Sequence, residues 1–317
     1  MIAVYGANGF IGRHLVLRLI GAGHSVRAVS RRFDPEFDAE IKRKSDIVVA
    51  DLGQPLAMAS SLQDVSTVVQ LVSSSSPGLR NDHAMADITE NLVPHVEFLQ
   101  TCARAGVKRY IFLSSGGTVY GPGASVPTPE TAPTNPINSH GLTKLFVEKY
   151  IQMHGHMDGL EYFILRVANP FGPGQIFRKG QGLVPAIIDR WQKQQPVRIF
   201  GTGEARRDFI YIDDVIDAIE AAIGLPGSPQ LVLNIGGGET KSVNEVVDAI
   251  EAAAGAIFQR EYVPSRSTDV DISGLDISLA HQTLRWVPRT DFREAMRLTV
   301  EYYLTRPAII VGAFAKI

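Results

Sequence analysis

The sequence predicts an α/β protein, a Rossmann-type doubly wound parallel sheet with a smaller interleaved substrate-binding region. Three observations predict it. Short β-branched runs alternate with longer stretches of helical period through the first half of the chain. A glycine-rich turn stands between the first run and the first amphipathic stretch. Beyond residue 170 the rhythm breaks into short strands separated by Gly/Pro-rich joints, beginning with Asn169-Pro-Phe-Gly-Pro-Gly174.

The elements follow in order. Ile2–Tyr5 reads as a buried strand, and Ile11–Ala22 as the helix after the turn. Ser25–Val29, Ile47–Val49, Val68–Val72 and Tyr110–Ser114 read as further strands. Parallel strands joined through helices require right-handed crossovers and gather their ligand site at the strand carboxyl ends. Asp87–Gly106 places Ile88, Leu92, Val96, Leu99 and Ala103 at helical spacing before a glycine stop. A second long helix, Gly141–Met153, follows His140. Residues 1–168 are expected to form the dinucleotide-binding region. Residues 169–317 are expected to be mainly the substrate region, with some segments returning to the first part.

Composition narrows the function. A chain of 317 residues can bury a substantial core, and 45% hydrophobic with 20% charged residues is ordinary globular usage, which argues against disorder. The formal net charge of −2 supplies no field for attracting nucleic acid. The single cysteine, Cys102, forms no intrachain disulfide and no cysteine metal cluster, which fits a reducing, cytoplasmic compartment. No metal site is expected. With a strand read from Ile2 no signal peptide is expected, and Ala308–Phe314 falls far short of the roughly 20 apolar residues of a membrane helix. That segment reads as packing or fraying at the C-terminus, and no membrane partner is expected.

Gly6-Ala-Asn8-Gly9-Phe10-Ile11-Gly12 is the strongest local signal. Its glycines stand where the backbone must turn tightly and approach a pyrophosphate, at a helix end whose unpaired N–H groups and dipole favour phosphate oxygens. Asp51-Leu52, after the third strand, suits contact with adenine, or else a helix N-cap. The second strand ends on Ser30-Arg31-Arg32, where an acidic residue would bind the ribose hydroxyls of NAD. Two guanidiniums suit a 2′-phosphate, so the cofactor is expected to be NAD or NADP, with NADP slightly favoured.

Together with these motifs, Asn91 in Glu-Asn-Leu, Ser114-Ser-Gly-Gly-Thr-Val-Tyr-Gly121, His140-Gly-Leu-Thr-Lys144, Arg166-Val-Ala-Asn-Pro170, Ile199-Phe-Gly201, Arg207-Asp-Phe-Ile-Tyr-Ile-Asp-Asp214, Arg266-Ser-Thr-Asp269 and Leu284-Arg-Trp-Val-Pro288 occur in a characteristic order. In this order and spacing the chain resembles the extended short-chain dehydrogenase/reductase superfamily, and within it the UDP-glucose 4-epimerase-like enzymes, over nearly its whole length. The resemblance implies cofactor contacts from the glycine motif, from Leu71, Val72 and Ser73 at the end of the fourth strand, and from Asn91, Ser114 and Lys144.

The resemblance also implies an acid/base tyrosine, a lysine four residues later, and a serine or threonine ahead of the Val-Tyr-Gly turn. Lys144 matches the lysine. His140 stands at the tyrosine position and Gly116 at the hydroxyl position. Histidine works as a base near neutral pH, but its nitrogen reaches roughly 2 Å less far than a phenol oxygen, so the site reads either as a working histidine base or as an impaired one. Ser115 and Thr118 are the candidates for the missing hydroxyl, and a serine at 116 is expected to add activity. The related dehydratases carry an Asp-Glu pair where this chain has Gly116-Gly117, which disfavours dehydration.

On the substrate side, the resemblance implies that Arg207 and Arg266 hold a diphosphate, that Asn169 approaches it or the sugar, and that Val184, Ile199 and Phe200 wall a nucleobase. The implied activity is reversible C4 epimerisation of a UDP-hexose by transient hydride transfer to a bound nicotinamide. The alternatives are an NADPH-dependent nucleotide-sugar 4-reductase and a catalytically weak binding protein. The two long helices are expected to pair with their copies in a homodimer.

Overall fold

The computed structural model describes residues 1–74, 84–177, 182–265 and 270–306. Strand β1 (Ile2–Tyr5), helix α1 (Phe10–Gly21), β2 (Val26–Ser30), α2 (Pro35–Ile41), β3 (Asp46–Val49), α3 (Pro55–Ser61) and β4 (Thr67–Gln70) form the first half of the winding. After α4 (Ala84–Asp87) and a π-helical turn at Ile88–Leu92 come α5 (Val93–Arg104), β5 (Arg109–Ser115), α6 (Ser139–Asp158) and β6 (Glu161–Val167). The chain continues through β7 (Asn169–Phe171), α7 (Leu183–Gln192), β8 (Val197–Phe200), β9 (Arg206–Tyr211), α8 (Ile212–Gly224) and β10 (Gln230–Ile235). It then forms β11 (Thr240–Ser242), α9 (Val243–Ala254), β12 (Arg260–Val263), β13 (Ile272–Ser273), α10 (Ser278–Leu284) and α11 (Phe292–Thr305).

Seven strands make one parallel sheet in the order β10-β6-β5-β4-β1-β2-β3. The winding reverses between β1 and β4, and at such a switch point an open α/β sheet leaves a crevice beyond its carboxyl ends. Both faces are buried. On β5, Ile111 and Leu113 join the apolar cluster that contains Leu15, Phe163 and Ile216, while Tyr110 and Phe112 join the one that contains Phe98, Leu99 and Ile151. Strand alternation forces that division, and it makes the central strands continuously apolar. The smaller part carries a sheet in which β9 pairs with β11, β13 and β7, and a separate β8–β12 pair. Strand β10 lies far along the chain yet pairs with β6 in the main sheet.

Several boundaries differ from the sequence-based expectation. The fourth strand stops at Gln70, so Leu71 and Val72 are loop residues. The expected helix Asp87–Gly106 begins with the π-turn, which shifts the register and leaves Ile88 exposed. Helix α6 runs on to Asp158, where Gly159 adopts φ +68° and ends it. Ala308–Phe314 lies outside the described residues. No helix of the described residues is long and apolar enough to cross a membrane.

Candidate functional site

A cleft of about 2070 Å³ opens along the carboxyl edge of the main sheet. The turn between β1 and α1 forms one wall. Gly6 there takes φ +84°, a conformation that favours glycine, and a Cβ on Gly12 would fall inside van der Waals contact of the Gly6 carbonyl oxygen. Helix α1 has neither a side-chain cap at Gly9 nor an acidic residue in its first turn, whereas α6 is capped by Asn138, α9 by Ser242 and α11 by Asp291. The N–H groups of α1 are thus left for an anion, which fits a dinucleotide pyrophosphate. Asn8 is tied down by Arg13 Nη2 (2.8 Å) and the Asp34 N–H (3.2 Å), which fixes the turn.

Ser30, Arg31, Arg32, Asp51 and Leu52 line the cleft beyond β2 and β3. Asp51 accepts from the Gly53 N–H (2.9 Å) and lies 3.6 Å from Arg31 Nε, so the Arg31 charge has a carboxylate beside it. Leu71, Val72 and Ser73 also line the cleft. Asn91 does not. It is buried in the π-turn, and its carboxamide oxygen accepts from the Ser74 N–H (2.8 Å) and hydroxyl (3.0 Å), which fastens the loop after β4.

The sequence-predicted catalytic residues gather between β5 and the start of α6. Ser114, Ser115, Thr118, His140 and Lys144 all line the cleft. The two segments approach closely because Gly141 has no side chain. A Cβ there would stand 2.8 Å from the Thr118 carbonyl oxygen. His140 is buried in the first helical turn, and burial, with Lys144 one turn on, pushes its imidazolium down to about 3. The positive end of α6 acts in the same direction. Burial lowers the Lys144 ammonium to about 8, opposed by Glu148. Its Nζ donates to the Leu113 carbonyl (2.8 Å) and lies 4.7 Å from the centre of the Phe112 ring.

Behind it, Glu148 accepts from the Ser114 hydroxyl and from Arg166 Nη2 (2.7 Å), and Arg166 Nη1 donates to the Tyr120 hydroxyl (3.0 Å). The Ser114 hydroxyl is therefore spent on the interior, although the residue reaches the cleft wall. Thr118 Oγ1 is buried without a hydrogen-bond partner among the described residues, so the residue reaches the cleft wall while its hydroxyl is turned inward.

On the substrate side Asn169, Val184 and Arg207 line the same cleft. Asn169 Nδ2 donates to the Asp208 carbonyl (2.7 Å), which fixes its loop to β9. Ile199 and Phe200 do not line the cleft. Successive residues of β8 point to opposite faces, so Ile199 enters the core while Phe200 is exposed. Arg266 lies outside the described residues. Sequence reading missed His14, Gln175, Tyr302 and Arg306, which also line the cleft. His14 Nε2 donates to the Pro173 carbonyl (2.9 Å) and so latches α1 to the loop after β7. Its place on α1, one turn past Phe10, was the available signal.

A dinucleotide turn at the switch point of a doubly wound sheet, with a buried lysine and an arginine across one cleft, defines a nicotinamide-dependent α/β enzyme of the short-chain dehydrogenase type. Residues 2–236 match the model of the NAD dependent epimerase/dehydratase family, and the chain belongs to that family. It is 33% identical to the UDP-glucose 4-epimerase of Mycolicibacterium smegmatis over 309 residues, covering 95% of this chain and 97% of the relative. The UDP-glucose 4-epimerase of Thermotoga maritima, solved with UDP-glucose, superposes with a TM-score of 0.89 at 32% identity, covering 96% of this chain and 98% of that one. The Thermus thermophilus UDP-glucose 4-epimerase, solved with NAD, gives 0.88 at 26% identity, with coverage of 96% and 99%.

Proposed function

We propose that this chain interconverts the C4 epimers of a UDP-hexose. The observation that carries the reading is one continuous cleft holding the dinucleotide turn, Lys144 and Arg207, in a chain that resembles UDP-glucose 4-epimerases from end to end. Residues 1–168 hold the cofactor and 169–317 mainly the nucleotide sugar. The first turn of α1 binds the pyrophosphate, Asp51 and Leu52 face the adenine, and Arg207 neutralises the sugar nucleotide's diphosphate. Ser115 and Thr118, both on the cleft wall, are the candidates for meeting the sugar, and Asn169 holds the loop over it. When bound, the nicotinamide accepts hydride from C4 and returns it. The protein's part is to exclude water, orient the sugar and move the proton of the 4-hydroxyl.

NAD is the cofactor the comparisons favour. The preference for NADP rests on Arg31 and Arg32 alone, and Asp51 beside Arg31 weakens it. The exposed Leu142, Phe146, Met153 and Met157 on α6, with Met85 and Val93 on the neighbouring helices, offer an apolar face for a second copy, consistent with a homodimer. The lone buried thiol suits the cytoplasm. The test is incubation with UDP-glucose or UDP-galactose and NAD, followed by NMR of the sugar anomeric signals. An epimerase interconverts the two without net cofactor reduction. Stoichiometric conversion of the cofactor indicates a dehydrogenase or the 4-reductase, and binding without turnover indicates a binding protein.

A further inference from the structure

The 4-hydroxyl proton needs an acceptor, and position 140 holds an imidazole where the family resemblance implies a phenol. Two nitrogen bases line the cleft at one helical turn's spacing, His140 and Lys144. Their settings differ. His140 stands at the N-terminal end of α6, buried and next to a cationic side chain. Each of these factors favours the neutral imidazole, and an imidazole whose conjugate acid forms only near pH 3 is a feeble base at neutrality.

Lys144 is a buried ammonium with no counter-ion among the described residues. Among the described residues, no carboxylate lies within ion-pair distance of Nζ, and the Leu113 carbonyl takes one of its three N–H bonds. Glu148, one turn further along α6, is the carboxylate that would normally pin the charge. It is instead engaged by Arg166 from β6 and Ser114 from β5. From α5, His95 gives its Nδ1–H to the Asn91 carbonyl (2.6 Å) and adds no negative charge. The face of Phe112 stabilises a cation, but it cannot accept a proton. The groups around Lys144, namely His140, His95, Glu148 and Arg166, therefore leave its protonation poorly defended at neutral pH.

Resting on the epimerase reading above, we propose that Lys144 is the catalytic residue that exchanges the proton of the sugar's 4-hydroxyl, with His140 remaining a neutral wall of the cleft. The neutral amine takes the hydroxyl proton as the O–H bond breaks and the C4 hydrogen departs with its electron pair to the bound nicotinamide. A ketone and an ammonium result. Return of hydride to the other face of the ketone is matched by return of the same proton, so the cycle has no net redox and the lysine ends as it began. A lysine is suited to this task when burial brings its pKa into the working range.

The test uses the full chain with its cofactor. The parent's turnover is expected to rise with pH through about 8 and then level, because the amine must be neutral to start the cycle. His140→Ala should keep that rise. Lys144→Arg, which keeps the charge but does not deprotonate, should lose at least about 100-fold in turnover. Lys144→Ala should be rescued by added methylamine or ethylamine, more strongly by the more basic amine, which a merely structural lysine would not show. A readout independent of turnover is NMR of protein carrying 13Cε-labelled lysine. The signal missing from Lys144→Arg should titrate near pH 8.

A turnover that stays flat between pH 5 and 9 without amine rescue overturns the proposal, as does a Lys144→Arg variant as fast as the parent. If the parent turns over no UDP-sugar, the epimerase reading fails on that ground. The titration then judges Lys144 separately, and an ordinary midpoint near 10.5 overturns its assignment.

Discussion

Leu275 occupies the space that a side chain at position 116 would need. A Cβ on Gly116 would stand 2.5 Å from Leu275 Cδ1 and 3.0 Å from the Arg166 carbonyl oxygen. Leu275 is itself fixed, since its N–H donates to Asp208 Oδ2 (3.2 Å) and its side chain is buried with Val119 and Tyr120. The sequence suggests that a serine at 116 would restore a missing hydroxyl. The structure predicts otherwise.

Gly116→Ser should lower stability by about 1–3 kcal/mol through overpacking and bring no gain in turnover. Denaturant unfolding of the single variants and of Gly116→Ser with Leu275→Ala forms a double-mutant cycle. The two changes should compensate one another. Strict additivity would show that Leu275 is not what glycine at 116 accommodates.

What was legible in the sequence follows from local rules. The β1 strand, its glycine turn and α1 could be read because a buried parallel strand is continuously apolar and the turn requires glycine at Gly6. The His140–Lys144 spacing could be read because i and i+4 share a helix face. Contacts far apart in sequence were hidden. Nothing local announces that Leu275 covers Gly116, that Glu148 is held by Arg166, or that Asn91 serves Ser74. Ile199 and Phe200 were legible in part, since alternation alone forbids adjacent strand residues from walling the same side. Strands as short as Ile272–Ser273 carry no periodicity to read.

The second and third glycines of the turn should fail differently. A Cβ on Gly9 would stand 3.1 Å from the Gly6 carbonyl oxygen at the cleft wall, while one on Gly12 would collide with backbone. Gly9→Val should keep the fold and weaken NAD binding by at least about tenfold. Gly12→Ala should also lower the melting temperature. Calorimetric titration beside thermal melts checks both, and normal NAD affinity in Gly9→Val would misplace the pyrophosphate.

Acid should destabilise the protein partly through His95. Burial holds its imidazolium down to about 4 from an ordinary 6.5, with Lys144 contributing, so its share of stability is present above pH 6.5 and lost as pH falls through 4. That share amounts to about 3 kcal/mol. Asp208 has the opposite sign. Burial raises its carboxyl from 3.8 to about 6, so its share is present at low pH and lost as pH rises through 6. His95→Gln should flatten the acid loss between pH 6.5 and 4 in denaturant melts, and an unchanged slope would contradict the assignment.

Arg31 and Arg32 line the cleft beyond the end of β2, the position where the sequence suggests a 2′-phosphate contact. Replacing both with alanine should weaken NADP more than NAD, by about tenfold or more in relative affinity, because only NADP carries the 2′-phosphate. Fluorescence titration with each reduced cofactor checks this. Equal losses would remove these arginines from any role at the 2′ position.

The cleft keeps the dinucleotide turn, Lys144 and Arg207, and the proposed function locates its departure at the proton-transfer position, 140. His140→Tyr tests this most directly. A phenol there reaches roughly 2 Å further into the cleft than the imidazole, and Lys144 beside it lowers the phenol's pKa. Turnover of UDP-glucose should rise about tenfold or more, while the dissociation constants of NAD and UDP-glucose stay within about twofold. A variant that binds both ligands normally yet turns over no faster than the parent would contradict the account.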